Sequence, residues 1–184
     1  LNFCSNDLSA FYFDIRKDTI YCDNKNSTTR RSSRTLLNII FNFLVRWFAP
    51  SLCFTTEEAW KAIGNSDSVH FEDFLSAKEN YCNNEVNNKW NLVKQVRRVI
   101  TGALEKKRFE KIIGSSLEAH IDIYLDESNF NKLKDLKFEE IAITSSAKLH
   151  SYIGPKKGFS LEDVQNVYIE VTKTTGNKCQ RCWK

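Results

Sequence analysis

The sequence predicts a mainly α fold, an antiparallel helical bundle followed by a small α+β module. Apolar side chains recur at helical spacing through most of residues 1–111, and the apolar run from Leu36 to Ala49 stops at Pro50. Past Gly114 the period shortens into partly alternating runs of the kind that form strands.

Taken in order, Leu8, Phe11, Tyr12 and Ile15 share one face of a helix from about Asn6 to Asp18. Ser27, Thr28 and Thr29 offer an N-cap to a second helix that runs to Ala49, where Pro50 ends it. Arg34, Asn38, Asn42 and Arg46 fall four residues apart on that helix. They form a polar ridge on an otherwise apolar cylinder, which predicts burial on most sides. Thr55 and Glu58 match a capping box opening a third helix through Trp60 and Ile63, closed by Gly64 and the polar stretch Asn65 to Ser68. The longest helix covers about Asn83 to Lys111. Leu92, Val93, Val96, Val99, Ile100, Ala103 and Leu104 line its core face, and Lys94, Arg97, Arg98 and Arg108, with Glu105 among them, lie opposite. Trp47, Trp60 and Trp90 fall on apolar faces and are expected in the core. Beyond Gly114, residues Leu117 to Leu125 read as a strand and Asn129 to Leu136 as a short helix. Phe138 to Thr144 and Val167 to Val171 read as further strands, with a loop at Gly154-Pro155-Lys156-Lys157-Gly158 between them. The expected divisions are 1–112 for the bundle, 113–175 for the α+β module and 176–184 for the tail.

The 184 residues are 41% hydrophobic and 27% charged, a globular profile with material for a core. There is no Met and the first residue is Leu1, so the chain is expected to be a piece of a longer one. No apolar stretch reaches eighteen residues, and the first twenty carry Asp7, Asp14 and Asp18, which excludes a membrane span and a signal-peptide layout as readings. Six scattered Cys without a secretory signal predict free thiols in a reducing cytoplasm.

The formal charge of +4 is concentrated. Residues 89–111 hold eight basic side chains against Glu105 and Glu110, a net +6, while the remaining 19 basic and 21 acidic residues give −2. Such a stripe is the footprint of a nucleic-acid contact, although a solvated helix face reads the same way on charge alone. The phosphate-binding reading requires these side chains to be free; burial, or capping by carboxylates of the same chain, counts against it.

Several chemistries have no motif here. There is neither a Gly-rich phosphate loop nor a paired-His helix, and His70, His120 and His150 are isolated in sequence. Asp14 and Asp18 read with Arg16 and Lys17 as a solvated ion-pair cluster. No nucleophile, base and oxyanion donor come together, so the chain alone is expected to be catalytically inert. Cys179-Gln180-Arg181-Cys182 has the knuckle spacing of a zinc site but supplies only two of four ligands; a redox pair or coincidence remains open on spacing.

Four stretches, in order along the chain, carry a family resemblance. The tail Gly176-Asn177-Lys178-Cys179-Gln180-Arg181-Cys182-Trp183 resembles the C-terminal signature of bacterial isoleucyl-tRNA synthetases. Asn6-Asp7-Leu8-Ser9-Ala10-Phe11-Tyr12-Phe13-Asp14-Ile15-Arg16-Lys17-Asp18 resembles a segment of that family's helical anticodon-binding domain. Arg46-Trp47-Phe48-Ala49-Pro50 with Phe54-Thr55-Thr56-Glu57-Glu58-Ala59-Trp60, and Ile113-Gly114-Ser115-Ser116-Leu117-Glu118-Ala119, match further stretches; the Pro-to-Trp motif also occurs in valyl-type relatives.

The resemblance implies a class I anticodon-binding bundle, an α+β module and the first half of a zinc ribbon, within an enzyme that joins isoleucine to its tRNA with ATP. The active-site signatures of the family are absent, so ATP and isoleucine would be handled outside this chain. Zinc would be held by Cys179 and Cys182 with two further Cys downstream. The expected partner is the isoleucine tRNA, and a monomer is expected. Lys94, Arg97, Arg98 and Arg108 are candidate phosphate contacts, with Arg30, Arg31 and Arg34 as second-rank candidates because basic residues at a helix start oppose its dipole. Trp183 is a candidate for stacking on an anticodon base, against the alternative of packing on the α+β module, and Lys178 and Arg181 complete the set. The competing readings are a valyl-type synthetase, a helical interaction module with a redox Cys pair, and a domain that only braces a catalytic body.

Overall fold

From Phe3 the chain is helical without a break to Cys22: Phe3–Phe13 winds as a wide π-type helix and passes into α1, Asp14–Cys22. Leu8 and Ile15 are buried while Phe11 and Tyr12 are half-buried, as the apolar spacing predicts. The structure, a computed structural model, describes residues 2–151 and 158–176. The chain divides into two compact units, Leu1–Lys17 with Asn83–Lys184 and Asp18–Cys82, so the division falls inside α1.

In the unit Asp18–Cys82, helix α2 spans Thr28–Phe48, and the Ser27 side chain caps it by accepting from the Arg30 N–H at 3.4 Å. Helix α3 spans Cys53–Ala62 and packs on α2. Its N-cap is Leu52, with no side-chain cap, so the expected Thr55–Glu58 capping box does not form. Thr55 is the third residue of the helix, so the amides two and three residues on that its hydroxyl would cap are already bonded within the helix. Gly64, at φ +96, ends the element as expected. Trp60 is buried and donates its indole N–H to the Asp67 carbonyl at 3.1 Å, with Arg46 over its ring at 4.7 Å. Val45, Ala49, Trp60 and Val69 form this unit's small core.

Helix α2 is not buried on most sides. Leu36, Trp47 and Phe48 are 39–50% exposed, because only the flank that meets α3 and the turn Val69–Phe71 is covered within its unit. Trp47, expected in the core, is 50% exposed and meets the Phe43 ring one turn back. The polar ridge does form: Arg46 donates to the Asn42 Oδ1 at 2.9 Å and to Glu72 at 2.7 Å.

The other unit is built on the long helix α4, Asn84–Phe109, capped by the Asn83 side chain accepting from the Val86 N–H at 3.0 Å. Strand β1 spans Ala119–Leu125, α5 Glu127–Leu133, α6 Phe138–Ile141, β2 Ser146–Ser151, β3 Phe159–Leu161 and β4 Val164–Lys173. The sheet order is β2-β1-β4-β3, with β1 parallel to β2 and antiparallel to β4, and β3 antiparallel to β4. Alternation puts Ile121, Ile123 and Leu125 of β1 and Val167, Ile169 and Val171 of β4 on one face, against the predicted apolar face of α4. Each fully buried Ile or Leu contributes roughly 1.5–3 kcal/mol over leaving it exposed.

Phe138 to Thr144, expected as a strand, begins as the one-turn helix α6. Phe138 and Ile141 lie three residues apart and both enter the core, which a helical turn allows and a strand does not. Because α4 shares its core with the sheet, packing places it with the α+β module. The sequence division at 112 and the packing division thus follow different criteria. Among the described residues no helix is long and apolar enough to cross a membrane, and Cys4, Cys22, Cys53 and Cys82 are free thiols.

Candidate nucleic-acid interface

The 26 residues of α4 carry their core face as one stripe, which leaves Lys94, Arg98 and Arg108 on the solvent side. None of the four candidate cations on this helix is free. Lys94 pairs with Asp7 and Arg98 with Asp163, both as exposed pairs. Arg108 pairs with Glu105 one turn back, and its Nε is buried without a partner. The free basic face expected from sequence is therefore capped by carboxylates of the chain itself.

Arg97 differs in kind. Its side chain is only 22% exposed, so its expected place on the solvent face is corrected. It donates Nε–H to the Ile141 carbonyl at 3.0 Å, reaches Asp14 at 3.3 Å and the Ala10 carbonyl at 3.5 Å, and lies 5.2 Å from the centre of the Phe11 ring. It fastens the N-terminal helix and the end of α6 to α4. Asp14 keeps the expected local pair with Lys17 at 3.1 Å and also meets Arg97, while Arg16, expected in the same cluster, pairs instead with Glu140 at 3.4 Å.

Asn6, Asp7, Phe11, Lys94, Arg97, Arg98 and Thr101 line one cavity of about 310 Å³. Lys94 lies 5.7 Å from the centre of the Phe11 ring, so this cleft presents two exposed cations beside an aromatic face, with Asp7 inside it. Charge and ring together suit a phosphodiester strand, whose phosphates need cations and whose bases need π surfaces.

Among the second-rank candidates, Arg30 donates to the Asp23 carbonyl at 2.7 Å, its Nε is buried without a partner, and it is half-buried. Arg31 and Arg34 are exposed, with no ion pair recorded among the described residues. Lys106, which sequence reading passed over, is exposed near the end of α4, where a cation also suits the helix dipole. Lys178, Cys179, Arg181, Cys182 and Trp183 lie outside the described residues. Among the described residues no group of three or more His, Cys, Asp or Glu is arranged to hold a metal.

The expectation that the His residues are isolated is corrected for two of them. On the sheet face opposite α4, His150 Nε2 lies 2.7 Å and His120 Nε2 3.3 Å from the Asp122 carboxylate, and His150 stacks on Tyr124. Parallel pairing of β1 with β2 brings them together, setting His150 opposite Tyr124. Glu57 of α3 is held down to about 2, chiefly by Lys61 and then by the Ser68 hydroxyl, with the Val69 N–H adding to them. This carboxylate ties the turn at Val69 to α3.

Residues 1–123 match the family model described as the anticodon-binding domain of tRNA ligase. Over its whole length the chain is 46% identical to an isoleucine–tRNA ligase of Pelagibacter ubique and 43% identical to one of Agrobacterium fabrum, covering 19% of each. One of Rhodopseudomonas palustris is 42% identical over 99% of the chain and 19% of that relative. The chain thus spans about a fifth of the length of these curated relatives. None of the three is a valyl-type enzyme. The chain belongs to the anticodon-binding domain family of tRNA ligases, in the form found in the isoleucine–tRNA ligases.

Proposed function

We propose that this chain is the part of an isoleucine–tRNA ligase that grips its tRNA in the anticodon region. The observation that carries the reading is similarity along the whole chain to isoleucine–tRNA ligases, together with the anticodon-binding model over residues 1–123. In this reading the whole enzyme joins isoleucine to the tRNA with ATP, and both small molecules are handled outside this region. The partner is the isoleucine tRNA.

Capping does not remove the grip where the pairs are exposed. An exposed ion pair is worth only about 0.2–1 kcal/mol, so a phosphate can exchange for the carboxylate at Lys94 and Arg98. Arg108, Arg31 and Arg34 extend the candidate phosphate contacts, and Arg30 is a weaker one because it is tied to Asp23. Arg97 serves as a brace that holds the cleft. In the tail, Trp183 stacks on an anticodon base, worth roughly 1–3 kcal/mol, with Lys178 and Arg181 beside it.

Cys179 and Cys182 offer two thiolates at a spacing that suits tetrahedral zinc, which requires two more ligands. Zinc, when bound, would join these two thiolates directly beside Trp183 in the sequence. In this reading the anticodon-binding region ends near residue 112 in sequence, although α4 shares its core with the α+β module that follows.

The test is the salt dependence of tRNA binding. About four phosphate contacts of single-strand type give a log–log slope of roughly −3. The double substitution Lys94→Gln with Arg98→Gln should make it shallower by about 1.4. An unchanged slope counts against the α4 assignment.

A further inference from the structure

Two of the cations on α4 are capped in the same way. Lys94 and Arg98 lie one turn apart, about 6 Å along the helix axis, and both line the cavity over Phe11. Neither takes its carboxylate from α4. Asp7 reaches Lys94 from the N-terminal helix and Asp163 reaches Arg98 from the turn between β3 and β4, 87 and 65 residues away in sequence. All four side chains are at least 44% exposed, so these are not buried pairs that a core requires.

The contrast within the helix is informative. Arg108–Glu105 and Lys107–Glu110 are three-residue neighbours of the kind any charged helix makes. Arg97 is a brace with three acceptors. Among the described residues of the cleft, Lys94 and Arg98 are the accessible cations onto which the fold brings a distant carboxylate.

We propose that Asp7 and Asp163 are affinity-setting residues, resident competitors that occupy the phosphate positions of Lys94 and Arg98 in the free protein. This rests on the reading of α4 as a phosphate-binding helix and deepens it. Residues 89–111 carry +6, a density that binds polyanions without regard to sequence. A carboxylate in each phosphate position imposes an exchange on every incoming strand and lowers, without abolishing, the gain from each contact, by roughly three-fold in affinity. Binding then depends on contacts made elsewhere, such as those to bases, which random RNA cannot supply.

The experiment measures dissociation constants of the full chain for poly-uridylate and for isoleucine tRNA at fixed salt, with Asp7→Asn and Asp163→Asn singly and together. Each single exchange should tighten poly-uridylate binding roughly three-fold, and the double about ten-fold, as expected for removing exposed ion pairs. The gain from Asp7→Asn should vanish in a Lys94→Gln background, and that from Asp163→Asn in an Arg98→Gln background. Asp135→Asn, at an exposed carboxylate away from the cleft, controls for net charge.

No gain, an equal gain from Asp135→Asn, or a gain that survives removal of the partner cation overturns the proposal. The two sites give independent measurements, so loss of folding in one variant leaves the other to decide. If Lys94→Gln and Arg98→Gln weaken binding while the aspartate exchanges do nothing, the competitor role alone fails. If the cation substitutions have no effect, the phosphate-binding reading of α4 fails and takes the proposal with it.

Discussion

Replacing Arg97 by Ala tests whether this side chain is a brace or a surface cation. The guanidinium donates to the Ile141 carbonyl at 3.0 Å, a charge-assisted bond worth about 1.5–3 kcal/mol. The pair with Asp14 at 3.3 Å is partly exposed and adds at most about 1 kcal/mol, and the contact with the Phe11 ring adds about 0.5–1 kcal/mol. These share one side chain and are not additive, so the net loss is about 2–4 kcal/mol. With a urea dependence of about 2 kcal/mol/M, the unfolding midpoint of the unit containing α4 falls by about 1–2 M. Arg98→Ala, which removes only an exposed pair, should cost less than about 1 kcal/mol. Equal shifts for the two variants, followed by the fluorescence of Trp90 beside Phe11, would refute the brace.

Gly158 sits at φ +96, and a Cβ there would meet the Ile169 carbonyl oxygen at 2.7 Å; Gly158→Ala should therefore destabilise the β3–β4 edge by roughly 1–3 kcal/mol, read by hydrogen exchange of β3 amides. The Glu57 carboxyl is depressed from 4.5 to about 2, so its contribution to the unit Asp18–Cys82 is fully present above about 4.5 and is lost as pH falls toward 2. Thermal unfolding of Glu57→Gln should lie below the parent at pH 6 and converge with it near pH 2; parallel curves throughout would show that the carboxylate is not the group responsible.

What the sequence made legible was local. The cap at Ser27, the apolar face of α4 and the alternation of β1 depend on side chains a few residues apart, and these local patterns report directly. Phe138 to Thr144 misled because a short apolar run does not distinguish one helical turn from a strand, and its fate was decided by a core that Phe138 and Ile141 enter together. Strand β2 was missed because its residues Ser146–Ser151 are mostly polar, with only Ala147 and Leu149 packed against the core. The helical spacing predicts Trp47 in the core, yet α3 covers a different flank of α2.

The candidate site was half legible. The positive excess of α4 is a property of composition and could be counted. Its neutralisation could not, because Asp7, Asp14 and Asp163 lie 65 to 87 residues from the cations they meet, and no local pattern records such a pairing. The same holds for His120, Asp122 and His150, which only the parallel register of β1 with β2 assembles. Resemblance to a family located the region in function, while the geometry separated the brace at Arg97 from the exchangeable cations beside it.

In the function proposed above, this chain reads the anticodon end of the isoleucine tRNA. The direct measurement is a gel-shift titration of the chain with that tRNA and with the same tRNA carrying an altered anticodon, at one salt concentration. The altered tRNA should bind more weakly, by roughly ten-fold or more if one stacked base is lost. Equal affinity for the two would contradict it.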